Sequence, residues 1–473
     1  MYCDRMKECA VTRPAGRSCV KYFCLFALML LSFPACRKSG PEGHSQPEDT
    51  YVKPELGKPL TQWAEGYLDI HCINGGRGES YYIIMPDGTT MLVDAAGATD
   101  SERQAEGNSY LPSRPSMYFT SGNVIVSYVK HFAPAVSNGR IDYLMLSHYH
   151  SDHQGSFTTA FADYNWGCMD SSGSPVPTLD LNAGGFILNG LTEVGASIPV
   201  GKVIDRGDWD ARASNTYNTT NNHSRYKNYL NFLDWSARQN GTVREKIRVG
   251  HTDQVVLKKK PSAYPDFSIR AIAGNGDVWT GKGVEVNTDY MPPASEFLAN
   301  VKTWDVNENI LSCVFTMSYG KFDYFSGGDI QYNDYTVFSW KDIEKPIAKV
   351  VKPVEVMKAC HHATSNTNSS ALISALSPDV LLVGVWTRNQ PNASTMGRFY
   401  KAVPSLRVFT TNMDDSARDK LEAAGILTKV FGATSGHIVV RVSPGGGEYY
   451  VYALDDGDFH YNVKAIRGPY ECK

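Results

Sequence analysis

Short apolar runs separated by glycine-rich and polar turns dominate the chain from Leu68 onward. Leu68-Asp69-Ile70-His71-Cys72-Ile73, Tyr81-Tyr82-Ile83-Ile84-Met85 and Thr90-Met91-Leu92-Val93-Asp94 have the length and the β-branched or aromatic content of strands. Pro86-Asp87-Gly88-Thr89 reads as the hairpin turn between the last two. The glycine-rich run 74–80 lacks the Lys-Ser/Thr ending of a phosphate loop and opens no helix, so it reads as a plain turn. Ile141-Asp142-Tyr143-Leu144-Met145-Leu146 predicts a buried strand. Further strands are expected at 184–191, 200–205, 268–273, 309–317, 324–325, 354–359 and 380–386, with 436–442 and 448–453 as a closing hairpin. The pattern predicts helices at 122–132, within an insertion over 108–137, and at 156–164, 372–376 and 417–424, with another toward the end of 215–240. Strands in two successive blocks, each followed by helices, argue two sheets packed together with helices outside.

The amino terminus follows a different pattern. Arg13, Arg17 and Lys21 precede an apolar run from Tyr22 to Leu31 that is too short to span a bilayer comfortably. Ser32-Phe33-Pro34-Ala35-Cys36 comes next, and together these are the parts of an export signal. Cys36 after Ala35 resembles a bacterial lipobox, in which the cysteine is lipidated and becomes the new terminus. The expected organisation is a lipoprotein-type signal over 1–35, a flexible tether over 36–64 and one large domain over 65–473. That places the protein in the cell envelope, periplasmic or anchored to the outer membrane through its lipid.

Composition is that of an ordinary globular protein, with 42% hydrophobic and 20% charged residues among 473. Basic and acidic residues number 46 and 49, so no strong field favours nucleic acid or an anionic membrane surface. Ten cysteines show no framework spacing, and at most one or two disulfides are expected. Cys360 reads as an inert core thiol or as a buried residue behind the neighbouring histidines.

The chemistry concentrates in Ser147-His148-Tyr149-His150-Ser151-Asp152-His153, directly after the buried strand. His148 and His150 are two apart, so on an extended segment they point the same way. Asp152 and His153 are adjacent and diverge from that pair on a turn. Imidazole and carboxylate together suit zinc and similar divalent ions. Three other places carry candidate groups. Asp94 ends a strand and can orient a ligand histidine from behind. Asp329, in Phe325-Ser326-Gly327-Gly328-Asp329, can bridge two cations with its two oxygens. His361 and His362 cannot both face the same way: one can ligate while the other meets substrate. His71, near the end of the first strand, is the remaining histidine singled out as a group supporting the metal residues.

Taken together, these residues resemble the metallo-β-lactamase superfamily, whose H-x-H-x-D-H signature matches in full at His148, His150, Asp152 and His153. Within it, the His361-His362 pair and Asn307-Glu308-Asn309-Ile310-Leu311 look like the exported hydrolase domains of DNA-uptake competence proteins and phosphorylcholine esterases, with Ala363 where glycine is common. The resemblance implies an α/β fold, a four-layer αββα sandwich. It implies two divalent ions, zinc with manganese or iron as alternatives. His148 and His150 would hold one ion, Asp152, His153 and His362 the other, and Asp329 would bridge them. Asp152 and His361 would serve catalysis. The substrate would be a phosphoester, in a small molecule or an envelope polymer, with β-lactams, lactones or thioesters as the other class and a non-catalytic binding role as a third reading. One departure stands out: the further histidine that completes the first site in such proteins has no convincing equivalent. His223 and His251 lie in the right interval but in another local context, and Asp205 is the substitute carboxylate the sequence offers.

Overall fold

The computed structural model describes residues 51–98, 111–116, 118–157, 167–207, 220–300, 304, 307–332 and 336–473. The export signal, Cys36 and nearly all of the predicted helix 156–164 lie outside the described residues. In chain order the strands are β1 (Leu68–Cys72), β2 (Tyr81–Ile84), β3 (Thr90–Val93), β4 (Ile141–Met145), β5 (Cys168–Met169), β6 (Pro175–Val176), β7 (Phe186–Ile187), β8 (Val200–Asp205), β9 (Val243–Lys246) and β10 (Phe267–Gly274). They continue as β11 (Asp277–Trp279), β12 (Val286–Asn287), β13 (Val314–Tyr319), β14 (Phe322–Ser326), β15 (Val356–Lys358), β16 (Val380–Val383), β17 (Arg407–Thr410), β18 (Phe431–Ala433), β19 (His437–Val442), β20 (Glu448–Leu454) and β21 (Val463–Glu471). The helices that cover them are α1 (Ser121–Phe132), α2 (Ser151–Gln154), α3 (Leu191–Ser197), α4 (Thr220–Asn240), α5 (Ser370–Leu376), α6 (Ala393–Ala402) and α7 (Asp415–Ala423).

One nine-stranded sheet has the order β21-β20-β19-β1-β2-β3-β4-β8-β9, the other β12-β11-β10-β13-β14-β15-β16-β17-β18. Each is antiparallel at one end and parallel at the other, through β3-β4-β8-β9 and β14-β15-β16-β17-β18. Alternation along the strands sorts their side chains between two layers. Leu68, Ile70, Ile83, Met91, Tyr143 and Met145 meet Phe315, Met317, Val356, Leu382 and Phe409 between the sheets. Tyr82, Leu92, Leu144 and Val203 pack outward against Ile125, Tyr128 and Phe132 of α1 and Leu191 and Val194 of α3. Phe325, Met357, Leu381 and Val383 pack outward on the other side against Leu372, Leu376, Phe399 and Leu421. The result is the expected αββα sandwich.

Several boundaries differ from the sequence reading for identifiable reasons. The second half of the expected tether is packed: Gly57 N–H donates to Val463 O (2.9 Å), Val463 N–H to Lys58 O (2.8 Å), and Leu60 is buried. The expected strand 309–317 begins as a 3-10 turn, Glu308–Leu311, because the Asn307 side chain accepts from Asn309 N–H and caps it. The expected strand 184–191 shrinks to β7, since α3 starts at Leu191. Among the described residues no helix is long and apolar enough to cross a membrane. The five described cysteines are buried free thiols, and no disulfide forms among them.

Candidate metal centre

The parallel halves of the two sheets put the carboxyl ends of their strands along one edge, the general location of sites in open α/β sheets. Asp94 follows β3, the histidine run follows β4, Asp329 follows β14, and His361 and His362 follow β15. Ser147 O accepts from Cys313 N–H across the two sheets (2.8 Å), which pins the edge shut beside the run. His150 lies on extended backbone, and α2 then turns Asp152 and His153 back toward the sheet.

Four side-chain atoms from three segments converge there. Asp152 Oδ2 lies 3.1 Å from His362 Nε2 and 3.7 Å from His153 Nε2. Asp329 Oδ2 lies 3.0 Å from His153 Nε2 and 3.4 Å from His362 Nε2. Four donors at zinc-ligand distance in a tetrahedron stand roughly 3.4 Å apart, so these spacings fit a single divalent ion. The orienting contacts behind them match the need for fixed imidazoles. His153 Nδ1 lies 2.8 Å from Asp94 Oδ2, and Asp94 also accepts from the Ser147 N–H and hydroxyl, each at 2.7 Å. His362 Nδ1 lies 2.8 Å from Gly384 O and 3.3 Å from Glu79 Oε1.

The other half of the centre is sparser. His148 Nε2 and His150 Nδ1 face each other at 3.1 Å, and Asp329 Oδ2 is 3.9 Å from His148 Nε2. Asp329 turns one oxygen, Oδ2, toward His148, His153, His361 and His362, while Oδ1 is buried without a hydrogen-bond partner. Asp329 thus presents one oxygen, Oδ2, to the four histidines. His361 is a quarter exposed at its side chain, with Nε2 3.9 Å from Asp329 Oδ2 and Nδ1 3.1 Å from Thr364 Oγ1.

Electrostatics agree with a cation site. Burial alone would lower the pKa of His153, but the carboxylates of Asp329, Asp152 and Asp94 raise it well above the usual imidazole range. Burial likewise opposes a charge on His362, and Glu79 and Asp329 overcome it. Burial, then the like charges of His153 and His150, hold His148 well below that range, and burial pushes His150 down to about 4. The carboxylates thus demand positive charge at the four-atom cluster, while His148 and His150 stay neutral, as ligands must.

Three sequence expectations fail here. His71 does not support the centre: it faces the opposite side of β1, with Nδ1 3.0 Å from Tyr128 Oη and its ring among Tyr82 and Phe132, because alternation sends Ile70 and Cys72 inward. Asp205 is no substitute ligand: its oxygens accept from Arg244 Nε and Tyr229 Oη, at 2.7 and 2.8 Å, and from Gly207 N–H, at 2.8 Å. The turn 74–80 is more than a turn. Gly78, at φ +137°, lies so close to Asp152 that a Cβ would meet its carbonyl oxygen at 2.0 Å. Glu79 N–H then donates to Asp152 O (2.9 Å), and the Glu79 carboxylate stands within 4.8 Å of His153, Asp329 and His362. Its glycines were visible in the sequence, but nothing local linked them to a histidine run 70-odd residues away. His251 pairs with exposed Asp253, and the side chain of His223 lies outside the described residues.

Residues 74–159, from the glycine turn through the histidine run, match the sequence model of the Metallo-beta-lactamase superfamily. The chain has the metallo-β-lactamase fold. With this donor set it is a metal-dependent hydrolase. Among solved structures it is similar to a candidate metal-dependent hydrolase from Parabacteroides distasonis, at 12% identity over 72% of this chain and 92% of that one, with a TM-score of 0.28. A diphosphatase of the PhnP family aligns at 7% identity over 78% of this chain and 96% of that one, with a TM-score of 0.29. No curated protein matches the chain.

Proposed function

We propose that this protein is an envelope lipoprotein that hydrolyses phosphoesters, phosphodiesters foremost, at a two-metal centre. The observation that carries the reading is the donor set: Asp152 and Asp329 offer carboxylate oxygen and no thiolate joins them, since the Cys360 thiol lies in the outer apolar cluster with its pKa raised by burial. Oxygen-rich sites favour harder ions and harder electrophiles. His148 and His150 would hold one ion and Asp152, His153 and His362 the other, with Asp329 Oδ2 between them. Ions held there supply Lewis acidity and lower the pKa of water toward neutrality.

The chain's own groups do the rest. Asp94 and Gly384 O lock the imidazoles of His153 and His362 so that their Nε2 atoms face the centre. Asp152, slightly exposed toward solvent, is placed to accept a hydrogen bond from an attacking water and so orient it. His361, partly exposed and neutral because burial lowers its pKa, is placed to hydrogen-bond the phosphoryl oxygen or the leaving group. Asn309 Nδ2, 3.4 Å from its ring, limits how far it can turn.

The test is turnover of bis-p-nitrophenyl phosphate with zinc or manganese, set against the variant His148→Ala/His150→Ala. Equal rates in the two proteins sink the reading. Parallel assays with nitrocefin and acyl lactones address the other substrate class: turnover there without phosphodiester cleavage would move the assignment to carbon-centred substrates. Lipidation at Cys36 is tested by palmitate labelling, which Cys36→Ser should abolish.

A further inference from the structure

Lys358 is a lysine with no solvent, at the end of β15 on the face that looks between the sheets. Such a charge survives only when its partners are built in. Its ammonium donates to Gly328 O at 2.7 Å and Ala359 O at 3.1 Å and forms an ion pair with Glu79 Oε2 at 2.5 Å, three oxygens from three different places. These belong to the glycine turn, to the Gly-Gly-Asp loop and to the backbone that leads into the histidine pair. Beyond them, Nζ stands 3.6 Å from Asp329 Oδ1, the oxygen that has no hydrogen-bond partner. Glu79 continues the chain on its other side, with Oε1 3.3 Å from His362 Nδ1.

We propose that Lys358 is a positioning residue of the metal centre. Its ammonium draws Asp329 Oδ1 away from the histidines, so that Oδ2 alone meets them. Through Glu79 it also keeps His362 turned with Nε2 as the ligand atom. One side chain therefore fixes two ligands that arrive on separate loops. Glu79 itself is bound to Lys358 and faces the Nδ1 edge of His362, so it orients the site and does not ligate.

This inference rests on the metal-centre reading above, and its test separates the two. The full chain is compared with Glu79→Gln and with the double variant Glu79→Gln/Lys358→Met, in which the buried charges leave together. Keeping the net charge constant isolates position from field. In Glu79→Gln the freed ammonium turns its charge on Asp329. Folding is read by circular dichroism and melting of the metal-free proteins, zinc affinity by chelator competition, and ligand geometry by the absorption spectrum of the cobalt(II) forms. Both variants are expected to fold, to bind zinc about 10–100-fold more weakly, and to show a changed cobalt spectrum. Unchanged zinc affinity and cobalt spectrum in a folded variant overturn the role of Lys358 alone. A native chain that takes up neither zinc nor cobalt overturns the metal reading and this one together. Glu79→Gln, the milder change, decides should the double variant not fold; failure of both to fold makes the pair a folding element and overturns the inference.

Discussion

Two sets of buried carboxylates in this molecule behave in opposite ways. Asp152 and Asp329 at the metal centre are held well below the usual carboxylate range: burial opposes their charge, but the imidazoles of His153 and His362 outweigh it. Glu193 on α3 and Glu344, in the short helix Glu344–Ile347, are equally cut off from water but meet only neutral donors. Glu193 accepts from the Thr120 hydroxyl and from Asn123, at the start of α1. Glu344 accepts from the N–H groups of Asn368 and Ser369, at 2.7 and 2.6 Å. Burial pushes both up to about 7. These four carboxylates share burial and differ in the sign of their neighbours, and among them the neighbours set which way each pKa moves. A cluster of anions that stays anionic when buried is a place for a cation, whereas Glu193 and Glu344 join helices and loops and take up a proton near neutrality.

The largest effect should come from removing the charge that the centre shares. Asp329→Asn keeps shape but loses the anion, and zinc affinity, read by chelator competition, should fall by more than about 100-fold, beyond what losing an orienting partner costs. Native affinity in that variant would erase the contrast between the two sets. The second effect lies at the other set and is a matter of pH. Because the folded pKa of Glu193 is raised from 4.5 to about 7, the native state holds the proton more tightly than the unfolded chain. Its contribution to stability is full below pH 4.5 and is lost as pH rises through about 7, by about 3 kcal/mol at most. The difference in melting between the native protein and Glu193→Gln, followed from pH 4 to 8, should trace this loss; a flat difference would place Glu193 with the charged set.

The smallest effect concerns the backbone that delivers His362. His361, His362 and Ala363 all sit at positive φ, 48°, 53° and 58°. L-residues pay for such angles, and three in a row mark strain kept in place by the surroundings. Asn368 does much of that holding, accepting from Cys360 N–H and donating to Cys360 O, each at 2.9 Å, while Glu344 anchors Asn368 in turn. Ala363→Gly relieves one strained residue while losing a buried methyl, and chemical denaturation should show a change under about 1 kcal/mol. Ala359→Gly, equally buried but on ordinary backbone, should cost about 1–2 kcal/mol. Equal costs at the two positions would mean that the loop is not strained.

The strands β1 to β4, the histidine run and the orienting place of Asp94 were legible because each depends on local pattern: alternation, an abrupt polar run after a buried strand, spacing of two between histidines. The αββα layering was legible for the same reason. His71 was misplaced because strand pattern shows that a residue alternates but not which layer each face meets. Asp205 was misplaced because Arg244 and Tyr229, which claim it, approach from other elements. Glu79 and Lys358 carry no local mark of a site, being a lone Glu in a glycine turn and a lone Lys in a strand.

The amino-acid order by itself determined the kinds of donor, their local geometry and the strand ends that carry them, since these follow from neighbours along the chain. Tertiary structure alone decided that the carboxylate after β14, the imidazole after β15 and the ammonium of Lys358 meet the run after β4. Ligation and charge compensation act through distances of a few ångströms between segments far apart in sequence, and only packing the two sheets sets those distances.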